Sequence, residues 1–141
     1  MKIKKFLTLF FLILLTNNVF ANTSYFKEGL IFYEKKKFDK AKFKFEQDIV
    51  YNPKNEKSYL YLAKIFKEEK NINLEENNLN TVLLLNPRNE EAIYLLTLLN
   101  IKNSNFSNAK ELIEKLNLVC EKMCSSKLEL QSKLDSSLKS E

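Results

Sequence analysis

Histidine and tryptophan are both absent from this 141-residue sequence, which holds one glycine, two prolines and two cysteines. Without histidine the chain lacks the usual general base at neutral pH and the commonest metal ligand, so most hydrolytic and zinc mechanisms are disfavoured. Hairpins, bulges and tight loops draw on Gly, Pro or Asp-Gly, so their scarcity argues against a β-rich fold and for helices. There is no Gly-rich phosphate loop and no serine beside a base. The adjacent acids Glu68 and Glu69, Glu75 and Glu76, and Glu90 and Glu91 read as solvated helix faces. Neither catalytic residues nor a cofactor or metal is expected.

The length and a 45% hydrophobic content suit one domain. The N-terminus is a separate matter. Lys2, Lys4 and Lys5 precede an apolar run from Phe6 to Leu15 broken only by Thr8, followed by Thr16, Asn17 and Asn18 and then Val19, Phe20 and Ala21. A positive start, a short apolar stretch and small residues before a cut describe a secretory signal peptide over residues 1–21, cleaved after Ala21. An uncleaved membrane tether is the second reading, ranked lower because a spanning helix needs about 20 apolar residues and the asparagine pair intervenes. No cysteine follows the run, which argues against a lipid-modified N-terminus. Two N-x-S/T sequences, at Asn22 and Asn105, would matter only in a eukaryotic secretory pathway. The Lys, Asn, Ile and Phe bias fits an AT-rich bacterial genome instead, and the expected location is exported and periplasmic.

Removing residues 1–21 takes three lysines and no acids from the 23 basic and 18 acidic side chains. The remainder is close to balanced, and its one dense basic run, Lys35, Lys36 and Lys37, falls at an expected turn. Nucleic-acid binding is not inferred.

What the sequence does contain is a repeat. YNPKNE begins at Tyr51 and LNPRNE at Leu85, thirty-four residues later. At the same offset Tyr25, Tyr59 and Ile93 align, as do Gly29, Ala63 and Thr97, then Phe38, Ile72 and Phe106, then Phe45, Leu79 and Ile113. Fixed self-similarity of this length indicates a stacked array. Each unit reads as two helices. Tyr25, Phe26, Leu30, Ile31, Phe32 and Tyr33 give the first a broad apolar face, and from Phe38 the apolar residues Ala41, Phe43, Phe45, Ile49 and Val50 recur at roughly helical spacing. A residue before proline is pushed out of the α region, so Asn52 and Asn86 end the second helix of a unit. Asn55 and Asn89 then cap the next helix, with Glu56 and Glu90 in its first turn.

On these residues the chain resembles three tetratricopeptide repeats, at 22–55, 56–89 and 90–123. Tyr25, Gly29, Phe32, Ala41, Phe45 and Pro53 fill the aromatic, small and proline slots of the first, with Glu28 in its Leu slot. Tyr59, Leu62, Ala63, Phe66, Leu79 and Pro87 fill the second, in which Glu75 stands where a small residue belongs. Burial of an unpaired charge is costly, so Glu75 is expected to be exposed. Leu96, Ala109 and Ile113 fit the third, while Asn100 replaces an aromatic and Glu121 replaces proline. The resemblance implies an all-α solenoid of three helical hairpins. Residues 124–141 would add a capping helix begun by Ser125 and Ser126, with Leu128, Leu130, Leu134 and Leu138 as its contact and polar residues as its cover.

Cys120 and Cys124 straddle the end of the third repeat. An even number of close cysteines in an exported protein usually pairs, here as a staple worth about 2 kcal/mol in the chain-entropy model. A redox-active pair and two reduced, packed cysteines stay open. The spacing is not C-x-x-C and no histidine is available to lower a thiol pKa, and two thiolates alone leave zinc short of ligands.

The resembled family lines a concave groove with its first helices and holds a peptide or helix of another protein there. By that resemblance Phe26, Leu30 and Tyr33, then Leu60, Lys64 and Lys67, then Tyr94, Leu98 and Ile101 face inward, an apolar and aromatic groove with a central basic patch. Such a groove suits a segment with hydrophobic anchors and an acidic residue. The expected function is a non-catalytic adaptor or scaffold for a protein or peptide partner of the cell envelope. A thiol-disulfide enzyme or redox accessory using Cys120 and Cys124 is one alternative. A structural subunit that forms homo-oligomers through its end faces is another, since three repeats are near the minimum for a stable array.

Overall fold

The structure, a computed structural model, describes residues 24–139. The proposed signal segment lies outside the described residues. Among those described there are seven α-helices and no strand. They form three hairpins, α1 (Tyr25–Glu34) with α2 (Phe38–Tyr51), α3 (Glu56–Glu68) with α4 (Ile72–Leu85), and α5 (Glu90–Lys102) with α6 (Phe106–Val119), followed by α7 (Ser126–Leu138). Each helix packs on its neighbours in sequence, and α7 lies against both α5 and α6. The architecture is an α-solenoid of tetratricopeptide type. None of these helices is long and apolar enough to cross a membrane.

The recurring N-P turn behaves as its chemistry requires. Asn52 and Asn86 leave the helix with φ −130° and −139°, each donating its backbone N–H to the last turn, to Asp48 and Val82. Three residues on, the Asn55 side chain accepts from Lys57 N at 3.3 Å and the Asn89 side chain from Ala92 N at 2.9 Å, satisfying N–H groups that the helix leaves free. The turn inside each hairpin repeats as well. Lys36, Lys70 and Ser104, thirty-four residues apart, have φ of 55°, 58° and 56°. This left-handed residue lets the next N–H bond back to Phe32, Phe66 and Asn100, closing the first helix.

The core runs the length of the array. Phe45, Ala41, Leu62, Ile65 and Phe66 form the first cluster, Leu79, Val82, Ala63, Ala92 and Leu96 the second, and Ile93, Ile113, Leu116, Leu130 and Leu134 the third. Gly29 has a specific reason: a Cβ there would stand 2.5 Å from the buried ring of Phe45. Asn100, in an aromatic slot, is buried and turns its amide onto its own helix, donating to the Leu96 carbonyl at 2.8 Å.

Several expectations need correction. Glu75 is 6% exposed rather than open to solvent. Its carboxyl lies between Lys67 and Lys102, which lower the electrostatic cost of burial without cancelling it, so its pKa stays raised by desolvation. Phe43 and Val50 point outward, because only Ala41, Phe45 and Asp48 of α2 lie on its buried face. In α7 only Leu130 and Leu134 are buried, whereas Leu128 and Leu138 are exposed, so the contact is a narrow seam. Ser125 sits at the start of α7 but its side chain makes no capping bond, since its backbone is already helical and a capping side chain needs the extended conformation.

Candidate functional site

The residues singled out by sequence lie on α1, α3 and α5. Phe26, Leu30 and Tyr33 of α1 are half-buried, as are Lys64 of α3 and Tyr94 and Leu98 of α5, while Lys67 is exposed. Leu60 and Ile101 contribute little surface: each is buried in the core, against Leu79 and Val82 in one case and Ile113 and Leu116 in the other.

An aromatic wall forms where α1 meets α3. Tyr33 meets Tyr61 edge-on with centroids 5.0 Å apart, Tyr61 stacks on Phe45 at 5.2 Å, and Phe26 touches both rings. Tyr61 was not anticipated. Lys64, one turn further along α3, places its ammonium 4.5 Å over the Tyr61 ring and bonds the Glu91 carboxylate of α5 at 2.6 Å. One row therefore crosses all three first helices: Tyr33, Tyr61, Lys64, Glu91. Partial burial raises the Tyr33 pKa, opposed by Lys64, so the hydroxyl is a neutral donor throughout the physiological range.

The expected basic patch is accordingly smaller than its lysine count, because Lys64 is neutralised by Glu91. Positive charge gathers instead beside the second hairpin, where Lys67, Lys70 and Lys102 rim a cavity of about 80 Å³ floored by Leu95, Leu98 and Leu99 and containing Glu75.

At the far end α7 closes the row. The Tyr94 hydroxyl donates to Glu129 of α7 at 3.0 Å, which together with burial raises the tyrosine pKa. The loop before α7 is tied down by a contact that sequence reasoning missed. Glu90, expected only to favour the dipole of α5, accepts the backbone N–H groups of Glu121, Lys122 and Met123, the last at 2.6 Å. These bonds, Met123 foremost, hold its carboxyl below the usual range. The same loop runs between Cys120 and Cys124, which the structure joins with their Cα atoms 5.2 Å apart. No spacing rule announces the Glu90 contact, since a carboxylate in a first turn is ordinary and its partners are backbone groups over thirty residues away.

Among the described residues no cluster of His, Cys, Asp or Glu could hold a metal ion. The row presents flat aromatic faces, a tyrosine hydroxyl and a charge pair.

The fold is similar to that of solved tetratricopeptide domains. The Yersinia enterocolitica type III secretion chaperone SycD, solved with a peptide of the translocator YopD, matches with a TM-score of 0.74 at 12% identity, over 89% of this chain and all of that one. The TPR2B domain of yeast Sti1, in its pHsp70 complex, matches at 0.73 with 14% identity over 79% and 94%. The first such domain of Spaghetti (RPAP3), bound to the HSP90 peptide SRMEEVD, matches at 0.69 with 17% identity over 81% and 90%. At these identities the likeness shows the fold. No protein-family model matches the chain, and no curated protein matches it in sequence.

Proposed function

We propose that this protein is a non-catalytic interaction module, exported to the periplasm, that holds a peptide or helix of an envelope protein on its first-helix face. The observation that carries the reading is the row Tyr33, Tyr61, Lys64 and Glu91, which leaves polar and aromatic groups half-exposed on three successive helices. Two of the neighbours named above were solved with a peptide and the third in a pHsp70 complex, which supports such a face as a receptor here. The ligand is a segment with aromatic or aliphatic anchors and one carboxylate able to displace Glu91 from Lys64. In the oxidising space outside the cytoplasm Cys120 and Cys124 pair, and the bond, with Glu90, fastens α7 to the end of the array.

The test is crosslinking in cells followed by affinity purification, comparing the wild type with Lys64→Glu, Glu91→Lys and the double exchange. The expected result is loss of one envelope protein from Lys64→Glu at unchanged helicity, with no rescue by the double exchange, because the ligand carboxylate still meets the wrong charge. The same partners recovered from all forms would overturn the groove reading. For the cysteines the measurement is mass spectrometry of the exported chain without reduction. Two free thiols would overturn the staple.

A further inference from the structure

The last helix has a narrow seam of its own and a clasp just before it. Only Leu130 and Leu134 of α7 are buried, packed in a cluster with Ile93, Ile113 and Leu116, and Glu129 adds its bond from the Tyr94 hydroxyl. No side chain caps the start of α7. A terminal helix held by so little apolar contact belongs to the part of a fold that opens first. The clasp is the loop in front of it. The bond between Cys120 and Cys124 closes that loop into a ring, and the three residues inside the ring all turn their backbone N–H groups to one carboxylate. Glu90 accepts from Glu121 at 3.0 Å, from Lys122 at 3.1 Å and from Met123 at 2.6 Å. Successive N–H groups converge on one anion only where the backbone between them is curled, and a closed ring holds that curl in place. Glu90 itself sits in the first turn of α5, so the ring is tied directly to the helix that α7 covers.

We propose that this clasp is redox-controlled: with the bond made, the ring and Glu90 keep α7 on α5 and α6, and with it reduced, α7 leaves and Tyr94 is uncovered. The inference deepens the pairing of Cys120 with Cys124 proposed above and rests on it. Cys124 is exposed and Cys120 half-buried, so an attacking thiolate reaches Cys124 first. The reductant is a dithiol. One of its thiolates attacks Cys124 Sγ, the S–S bond breaks, and Cys120 leaves as a thiolate that takes up a proton. The second thiol of the donor then displaces Cys124, which is protonated in turn. Two electrons and two protons pass to the protein, and the donor ends as a disulfide. The bond acts mainly on the undocked chain, whose loop it constrains, so breaking a ring of this size raises the undocked population about 30-fold in the chain-entropy model. Linkage makes the effect reciprocal: a ligand that takes the place of α7 beside Tyr94 makes the bond easier to reduce by the same factor.

The test is hydrogen exchange of the purified full chain, oxidised and in dithiothreitol, read at the amides of α7 with those of α3 as reference. The expected result is exchange about 30-fold faster across α7 on reduction, with α3 unchanged. Glu90→Gln keeps the shape but removes the charge that gathers the N–H groups. It is expected to speed α7 exchange in the oxidised protein and to add little in the reduced one, where the curled loop is already lost. An oxidised chain that still shows two free thiols by intact mass would overturn the pairing and this inference together. A bond that forms, but whose reduction leaves α7 exchange unchanged, would overturn the clasp and leave the pairing standing. An equal effect of Glu90→Gln in both redox states would show that carboxylate and bond act separately, and would refute the clasp as well.

Discussion

The junction between the first and second hairpins and the junction between the second and third have the same backbone and opposite chemistry. Both contain the N-P turn and its capping asparagine. At the first, Asp48 is buried and accepts from Ser58 Oγ at 2.6 Å, from Asn55 Nδ2 at 2.6 Å and from Asn52 Nδ2 at 3.0 Å. At the second, the residues in the registers of Asp48 and Ser58 are Val82 and Ala92, both fully buried in an apolar cluster. The backbone accepts either filling because the turn itself satisfies its polar groups, leaving the side chains to settle the contact by a closed hydrogen-bond set or by apolar packing. The closed set is more demanding: each member is costly once its partner goes.

The largest expected effect comes from breaking that set. Asp48→Val removes the acceptor shared by Ser58 Oγ, Asn55 and Asn52, leaving only the 3.3 Å bond from Asn55 Nδ2 to Ser58 Oγ, and is expected to cost about 3 kcal/mol, the scale of buried groups left unsatisfied. Adding Ser58→Ala installs the pair present at the other junction and should recover at least about 1 kcal/mol of it, as residues sharing a network couple on this scale. Urea midpoints of the two variants and of Ser58→Ala alone complete the cycle. Strict additivity would show that the two junctions are not interchangeable.

Gly29 sharpens the contrast on the first side. Its register holds Ala63 in the second hairpin and Thr97 in the third, so a methyl group is tolerated there in principle. In the first hairpin the space is taken by the Phe45 ring, itself packed by Phe26 and Tyr61. Gly29→Ala is therefore expected to destabilise by about 2 kcal/mol through overpacking, although alanine is the better helix former. A neutral or stabilising result would mean that the aromatic cluster shifts freely.

The features legible in the sequence were those that repeat. The asparagine stops and caps, the helix boundaries near Ser24 and Phe38, and the hairpin count all follow from local chemistry recurring at a fixed interval. What escaped notice depends on which residues differ between repeats. Asp48 and Ser58 are each unremarkable alone, and only their coincidence at two registers that are apolar in the next hairpin signals a contact. Glu75 was read through the cost of an unpaired charge, which is sound, but Lys67 and Lys102 lie on other helices and enter only when those helices stack. In the candidate site, Phe26, Leu30, Tyr33, Lys64, Tyr94 and Leu98 each keep part of their surface open on the first helix of a hairpin. Tyr61 joins the aromatic wall from a position that periodicity alone assigned to no face.

Glu75 stands in the register of Ala41 and Ala109, both fully buried. Because burial raises its pKa in the folded protein, the native state binds the proton more readily than the unfolded chain. Stability is then full below the ordinary carboxylate range and declines as pH rises through the unfolded value toward the folded one. Glu75→Gln removes the ionisation while keeping the shape. It is expected to stabilise by about 1 kcal/mol at neutral pH, on the scale of an incompletely compensated buried charge. The gain should vanish in acid, where the wild-type carboxyl is protonated in both states. A gain independent of pH would assign the effect to packing rather than charge.

The smallest effect concerns the turns within hairpins, where the three repeats agree with one another against the usual choice of residue. Lys36, Lys70 and Ser104 adopt the left-handed conformation in which a Cβ crowds the following carbonyl, and the only glycine in the chain is spent elsewhere. Glycine at any of them removes the crowding but adds freedom to the unfolded chain, a net gain of about 0.5 kcal/mol each. Lys70→Gly is expected to gain as much as Ser104→Gly: Lys70 rims the cavity that Glu75 lines, but the cations that act on that carboxylate are Lys67 and Lys102. Comparing urea midpoints of Lys70→Gly in wild-type and Glu75→Gln backgrounds tests this. A larger gain once the carboxylate is gone would show that Lys70 offsets the buried charge, whereas equal gains would assign it to the turn alone.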